Sequence, residues 1–457
     1  MAKTADDLLK ALLHELVEQK KSVDMLEAWY SGAHPLPAAS ATNSDLYRRF
    51  QAMSQSNYVG QVVDAVASRL SIEGIRMGSD DVDEQAWGMW QRSNMDANQT
   101  MLLETALSCG LAYVSVWPSA DDPLEIDWAP EHPSEVVHQM VPGSLRKVAS
   151  ALKVFEDEDG WSATLWTRDY IVSYRGRGDW DAWTNWEVAE SGANPYGAVP
   201  MIPLLNKPTL RGGWSSEMSN GIPIQKRINQ TLLNMMVAEE SVAFPQRYAT
   251  GLEIKKDAEG NPVRPFRSGP DGLWVAEDEQ ARFGQFTESE FSGYLNAIGS
   301  DVEMLAAVTA TPMFAMSAKL SVPPSAEALT AMESSLVKKI EARQRIYGEA
   351  FEDAFRLAFK MLGDNRSNAD DAEVVWADPS IKSDAALGDY VTKAASVGVP
   401  RQVLWAKLGY SPQEIARMES MAMSEAFMQL VAQVGAQGAP TQPADSQQGG
   451  QGAVTGG

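Results

Sequence analysis

IPIQKRINQTLLNMMVAEESVAF (222–244) and AEALTAMESSLVKKIEARQRIYGEAFEDAFRLAFKML (326–362) decide the architecture, because they open and close one ordered series of elements. The first reads as a helix. Pro223 sits in its opening turn, where a missing N–H costs little, Ser219 or Asn220 is the candidate cap, and Pro245 is the stop. A compact insertion follows at 245–286, with strands expected at 246–254 and 262–267. A second helix is expected over 287–309. It opens on TESE, a capping box in which the Thr287 hydroxyl accepts from the Glu290 N–H, and it repeats Phe291, Tyr294, Leu295, Ile298, Val302, Leu305 and Val308 at 3-4 spacing. The stretch ATPMFAMSAKLSVPPS (310–325) is apolar, methionine-rich and without usable periodicity. The last helix carries Leu336, Ile340, Tyr347, Phe351, Phe355 and Phe359 on one stripe, and at 1.5 Å per residue it spans roughly 55 Å.

Two helices that flank a short insertion run antiparallel and carry the insertion at one end. Long helices of this kind bury little of their own length within one subunit, and a closed ring of identical copies supplies the missing neighbours. Upstream, residues 6–30, 43–53, 57–70 and 83–109 read as helices. Between Gly110 and about residue 188 the period shifts to that of short strands: 113–117, 124–128, 146–155, 162–167, 169–175 and 183–188, with turns at DEDG (157–160) and RGRGD (175–179). Residues 197–223 read as an irregular connector. Downstream, VVWADP (374–379) is expected to be a short strand or an extended segment, short helices are expected at 382–397, 400–408 and 411–432, and the Gly- and Gln-rich remainder is expected to be disordered. The fold class is α+β, predominantly helical.

Composition excludes more than it assigns. The 457 residues carry a formal net charge of −23. A protein that grips nucleic acid by neutralising phosphates has a basic footprint, and the chain as a whole has none. Nucleic acid is therefore either no partner at all or one that is surrounded without being held. The single cysteine, Cys109, rules out an intramolecular disulfide and a zinc site built on several cysteines; in LETALSCGLAYVSVW it reads as a small buried thiol. Asp6, Asp7, Glu15 and Glu18 stand where the apolar region of a signal peptide would be, and no run of eighteen apolar residues predicts a membrane span.

Catalytic signatures are missing from the sequence. No phosphate-binding loop occurs, RGRGDW (175–180) lacks the glycine pattern of one, and His132 and His138 fit no metal-binding spacing. The acidic clusters at 80–84, 156–159, 277–279 and 370–373 are local runs in turns, which solvated faces explain. No catalytic, cofactor-binding or metal-binding residue is expected, and no enzyme.

NYVGQVVDAVASRLSIEGIR (57–76), VPMIPLLNKPTLRGGWSSEM (199–218), IPIQKRINQTLLNMMVAEESVAFPQRYATG (222–251) and VVWADP (374–379) with GVPRQVLWAKLGYSPQEIARME (398–419) occur in an order and spacing that resemble the portal, or head-to-tail connector, proteins of tailed bacteriophages. The similarity is to the Gp6-like group of siphophages and actinobacteriophages. It implies a wing at 1–221, stem helices at 222–244 and 287–309, a clip at 245–286 and a tunnel loop at 310–325. The long wing helix is then 326–362, the crown 363–432 and the tail 433–457. It also implies a homo-oligomeric ring of twelve subunits, occasionally thirteen, at one vertex of the capsid, assembled in the host cytoplasm and retained in the virion. The implied partners are the large terminase subunit, the major capsid and scaffolding proteins, a head-completion or adaptor protein, and double-stranded DNA passing without sequence specificity, with no membrane and no cofactor. The rival reading is another capsid-associated structural or adaptor protein without a DNA channel.

Under this resemblance the acidity makes physical sense, since a wall of fixed positive charge would hold phosphates and add friction to a sliding duplex. Met313, Met316 and Lys319 are the channel candidates, Lys319 being the only charged residue of 310–325. Arg247, Lys255, Lys256, Arg264 and Arg267 of the clip are candidates for contact with DNA, with an acidic partner, or with Glu277, Asp278 and Glu279 of an adjacent clip. Replacing Lys319 by Glu is expected to leave oligomer formation intact while altering genome packaging or retention; unchanged DNA content in mutant particles removes that role from Lys319.

Overall fold

Alternating apolar residues in β5 (Val148–Asp157), β6 (Gly160–Thr167) and β7 (Tyr170–Gly176) give strands with one face to bury. In a computed structural model of the chain they lie between β4 (Val136–Met140) and β8 (Trp186–Ala193) in a five-stranded antiparallel sheet of order β4-β5-β6-β7-β8. The structure describes residues 4–38, 45–78, 82–243, 247–251, 282–285, 291–316, 326–380, 384–410 and 412–437. They fall into two units, Met1–Ile381 and Lys382–Gly457.

α1 (Ala5–Ser31) is capped by Thr4, whose hydroxyl accepts from the Asp7 N–H at 3.2 Å. Leu8, Leu9, Leu12, Leu13 and Leu16 cover Leu152, Val154, Ala163, Leu165 and Tyr174 on one face of the sheet. Elsewhere Val136 and Ala151 pack with Leu111, Tyr113 and Met201, linking this sheet to a three-stranded one of order β3-β2-β9. Its strands are β2 (Leu111–Pro118), β3 (Ile126–Glu131) and β9 (Met201–Leu205). β9 falls inside the stretch expected to be irregular. Pro203 disguised it, and an edge strand tolerates a proline that a central strand would not. β1 (Ile72–Arg76) was likewise not legible, because its sheet partner, β12 (Glu373–Trp376), lies some three hundred residues later.

The helix expected over 83–109 is two helices, α4 (Glu84–Arg92) and α5 (Met95–Cys109), divided at Asn94, whose φ of 54° is left-handed. Gly110 ends α5 at φ 82°, and a Cβ there would come within 2.7 Å of the Ser215 backbone, so only glycine fits. α2 (Asp45–Met53) and α3 (Tyr58–Ala67) complete the helices before the sheets.

The long helix α9 (Ala326–Met361) departs from its expectation in one respect. Its C-terminal half does not lack partners within the subunit. Tyr347, Phe351, Ala354, Phe355, Ala358 and Phe359 are fully buried in the main core, where Trp90 meets Phe351 edge-on at 5.5 Å and Trp128 lies 4.5 Å from Phe355. The aromatic stripe is satisfied by tryptophans that α4 and β3 deliver from far away in sequence.

α6 (Ile222–Ala243) and α7 (Ser292–Thr309) form the expected antiparallel hairpin, and the chain leaves and re-enters it as paired strands, β10 (Arg247–Thr250) against β11 (Arg282–Gln285). The strand expected at 262–267 and the TESE capping box lie outside the described residues. After α7 the described residues, 310–316, include a short helix, α8 (Met313–Met316). The second unit holds α10 (Asp384–Ser396), α11 (Arg401–Lys407) and α12 (Pro412–Gln437), the last running into the segment expected to be disordered. Among the described residues no helix is long and apolar enough to cross a membrane.

Candidate functional site at the root of the helical hairpin

Packing along the hairpin changes abruptly halfway. α6 buries Ile222, Ile224, Gln225, Ile228, Asn229 and Leu233, but no side chain from Asn234 to Glu240 is buried. α7 mirrors this: Asp301, Val302, Leu305, Ala306 and Thr309 are buried, and nothing from Phe291 to Ser300 is. The root belongs to the core of the subunit and the outer half projects from it.

Three polar joints fix the root. Arg227 forms a two-pronged ion pair with Asp301, its Nε donating at 2.8 Å, which ties α6 to α7. Gln225 and Asn229 fasten α6 to the segment before α3. The Gln225 amide donates to the Ser56 carbonyl at 2.9 Å while its oxygen accepts from the Tyr58 N–H at 2.8 Å. Asn229 accepts from the Ser56 N–H at 3.1 Å and from its hydroxyl at 2.7 Å.

The third joint is the most heavily charged. Glu217, in the connector before α6, is 1% exposed and faces three cations. Its Oε1 lies 2.7 Å from Arg343, and its Oε2 lies 3.0 Å from both Lys339 and Lys207. Lys339 also donates to the Thr309 carbonyl at 2.9 Å, meeting the C-terminal end of α7. Arg343 and Lys339 stand one turn apart on α9, so one carboxylate joins connector, hairpin and long helix.

Burial opposes ionisation of Glu217, but Lys339, Arg343 and Lys207 together outweigh it and hold the carboxyl at about 2. Lys339 moves down as well, first through burial and then through repulsion from Lys207 and Arg343, even though Glu217 attracts its charge. The Glu217 shift follows from the count of charges, one anion among three cations, whereas the Lys339 shift follows first from burial. A carboxylate so held neither takes nor gives a proton near neutrality, so Glu217 serves as a mechanical joint and not as a general acid or base.

Of the residues singled out from the sequence, Met316 is buried in the main core and Met313 packs against it, so the structure places Met316 inside the subunit and not on an open surface. Lys319 lies outside the described residues. Arg247 opens β10, paired with Gln285. Lys255, Lys256, Arg264, Arg267, Glu277, Asp278 and Glu279 lie outside the described residues. Sequence reasoning missed Glu217, Lys339 and Arg343. Lys339 and Arg343 carried a signal, two cations at i and i+4 flanking the apolar stripe of α9, but nothing marked Glu217 as their partner.

Comparison with known proteins bears on this geometry. A family model described as "Phage portal protein, SPP1 Gp6-like" matches residues 9–426. The portal protein of Mycobacterium phage L5 is 30% identical over 402 residues, covering 83% of this chain and 81% of that protein. The portal protein of Mycobacterium phage D29 is 30% identical over 401 residues, with the same coverage. Among solved structures, a chain from the virion of a native gene transfer agent particle superposes with a TM-score of 0.42 at 14% identity, covering 79% of this chain and 91% of that one.

Because the folded carboxyl of Glu217 sits near 2, below its ordinary 4.5, its contribution is fully present above about pH 4.5 and is lost as pH falls toward 2. That depression corresponds to about 3 kcal/mol. Glu217→Gln leaves three cations unbalanced and is expected to destabilise the chain by about 3–5 kcal/mol near neutrality. Unfolding midpoints measured from pH 6 downwards check this: the variant falls less steeply than the parent between those two values, and a parallel pair of curves contradicts the assignment.

Proposed function

Because the chain belongs to the SPP1 Gp6-like family of phage portal proteins, structural and non-enzymatic components of the virion, we propose that it is the repeating subunit of a ring at one capsid vertex, with an opening through which double-stranded DNA passes during packaging and ejection. The observation that carries this reading is the half-packed hairpin. Its root is bolted into the subunit, while its outer half exposes Leu295 at 59% and leaves Met235, Met236 and Ile298 only half covered. Helices that begin in a core and continue without one acquire their missing partners from symmetric copies. Nearer the root, Met304 and Val308 of α7 are each 46% exposed and extend the uncovered face.

On this reading α6 and α7 are the stem, and 245–286 at their far end is the clip, where the large terminase subunit docks during packaging and a head-completion or adaptor protein afterwards. Residues 1–221 together with 326–362 form the wing, beside the major capsid and scaffolding proteins; the packing of α9 against α4 and β3 supports that grouping. Residues 310–325 form the tunnel loop, with Lys319 its one charge toward DNA, and 363–432 form the crown. The net charge of −23 supports passage of DNA without retention by the wall. Assembly takes place in the host cytoplasm.

Negative-stain or cryo-electron microscopy of the purified chain, with native mass spectrometry, tests this directly. The expected outcome is a closed ring of about twelve copies around an opening wide enough for duplex DNA. A stable monomer or dimer under the same conditions overturns the ring and favours a capsid-associated adaptor.

A further inference from the structure

Away from the hairpin, three segments distant in sequence meet at one point. Cys109 is the last residue of α5, Glu27 lies in α1, and His132 directly follows β3. One ligand atom from each, the Cys109 Sγ, a Glu27 carboxylate oxygen and a His132 ring nitrogen, all lie within 4.8 Å of one another. His132 Nε2 is 2.9 Å from Glu27 Oε1. The opposite ring nitrogen is held from behind: Nδ1 lies 2.7 Å from the Ser134 hydroxyl and accepts from the Ser134 N–H at 3.2 Å. The imidazole is thereby oriented with Nε2 toward Glu27 and Cys109.

We propose that Glu27, Cys109 and His132 form a binding site for one borderline-soft divalent cation of the Zn²⁺ class, with a fourth position open to water. The donor set is the one such ions select, a thiolate, an imidazole and a carboxylate, and soft thiolate disfavours Mg²⁺ and Ca²⁺. Metal–ligand bonds of about 2.0–2.3 Å in a tetrahedron require donors about 3.3–3.8 Å apart. The Glu27–His132 pair, now 2.9 Å apart, has to open slightly and any pair nearer the 4.8 Å limit has to close, adjustments available in the Glu27 and His132 side chains, which are 47% and 32% exposed. Cys109 is only 3% exposed while the His132 side chain is 32% exposed, so the thiol forms the floor of the site and the other two ligands its open front. On binding, the thiol loses its proton to solvent. The imidazole keeps one proton, which moves to Nδ1 and is donated to the Ser134 hydroxyl, and the 3.2 Å contact from the Ser134 N–H is given up because a protonated Nδ1 no longer accepts. The bond to the hydroxyl is the kind that fixes the tautomer of a metal-bound histidine.

A nucleophilic role for the same cysteine does not fit. Burial pushes its thiol up to about 12, whereas reactive cysteines are held low and exposed. A bound ion instead cross-links α1, which covers the five-stranded sheet, to the end of α5 and the turn after β3. It acts as a clip between two cores of the first unit.

The test is a Co²⁺ titration of the full-length chain after treatment with a chelator. One ion per chain is expected, giving visible bands of a tetrahedral site and a near-ultraviolet thiolate-to-cobalt band, both displaced by Zn²⁺. Cys109→Ser is expected to abolish the thiolate band. Ser134→Ala, which removes no ligand, is expected to weaken Zn²⁺ binding by about tenfold or more. Circular dichroism checks that each variant is folded; should Cys109→Ser fail to fold, His132→Ala and Glu27→Gln report on the more exposed ligands and are expected to lose the tetrahedral spectrum. Absence of the thiolate band in the parent chain, or a tetrahedral spectrum that survives loss of any one ligand unchanged, overturns the site.

Discussion

One carboxylate buried among three cations sets the geometry on which the rest depends. Removing charges from water is costly, and Glu217 is tolerated only because Lys207, Lys339 and Arg343 approach it from the connector and from α9. Those three cations could not crowd together without it. The cluster ties the connector to α9, and it bears on where α6 departs and where α7 returns, since Lys339 also grips the last carbonyl of α7. Specificity of position, more than net stability, is what such a joint supplies.

A hairpin fixed rigidly at one end and uncovered at the other behaves as a lever or as a stave. In a structural family whose members occupy the virion, the proposed ring uses it as a stave: on that reading copies stand side by side, and each outer half covers the next. The bidentate Arg227–Asp301 pair keeps the two helices in register at the boundary between packed and unpacked halves. At the far end β10 and β11 pair antiparallel and hold the departing chains together.

Much of this was legible in the sequence because periodicity is local. The two hairpin helices, the long α9 and the meander β5 to β7 each announced themselves within a dozen residues. What escaped depends on partners far away. β1 needs β12, β9 hides behind Pro203, and the break at Asn94 is a single left-handed residue inside an otherwise helical pattern. The expectation that α9 lacks partners failed for the same reason: Trp90 and Trp128, which fill its aromatic stripe, give no hint of their destination. Met316, a channel candidate from the sequence, is buried in the core of the subunit. Glu217 and the Glu27–Cys109–His132 cluster were invisible, since ion clusters assembled from several segments leave no spacing rule behind.

The central claim is that the outer half of the hairpin is completed by neighbouring copies. Amide hydrogen exchange, compared between dissociated subunits and the assembled particle, addresses it most directly. Residues 224–233 and 301–309 should be protected in both states, while 234–243 and 292–300 should gain protection only on assembly. Equal protection of the outer segments in the dissociated subunit, or continued rapid exchange there in the assembled particle, would contradict it.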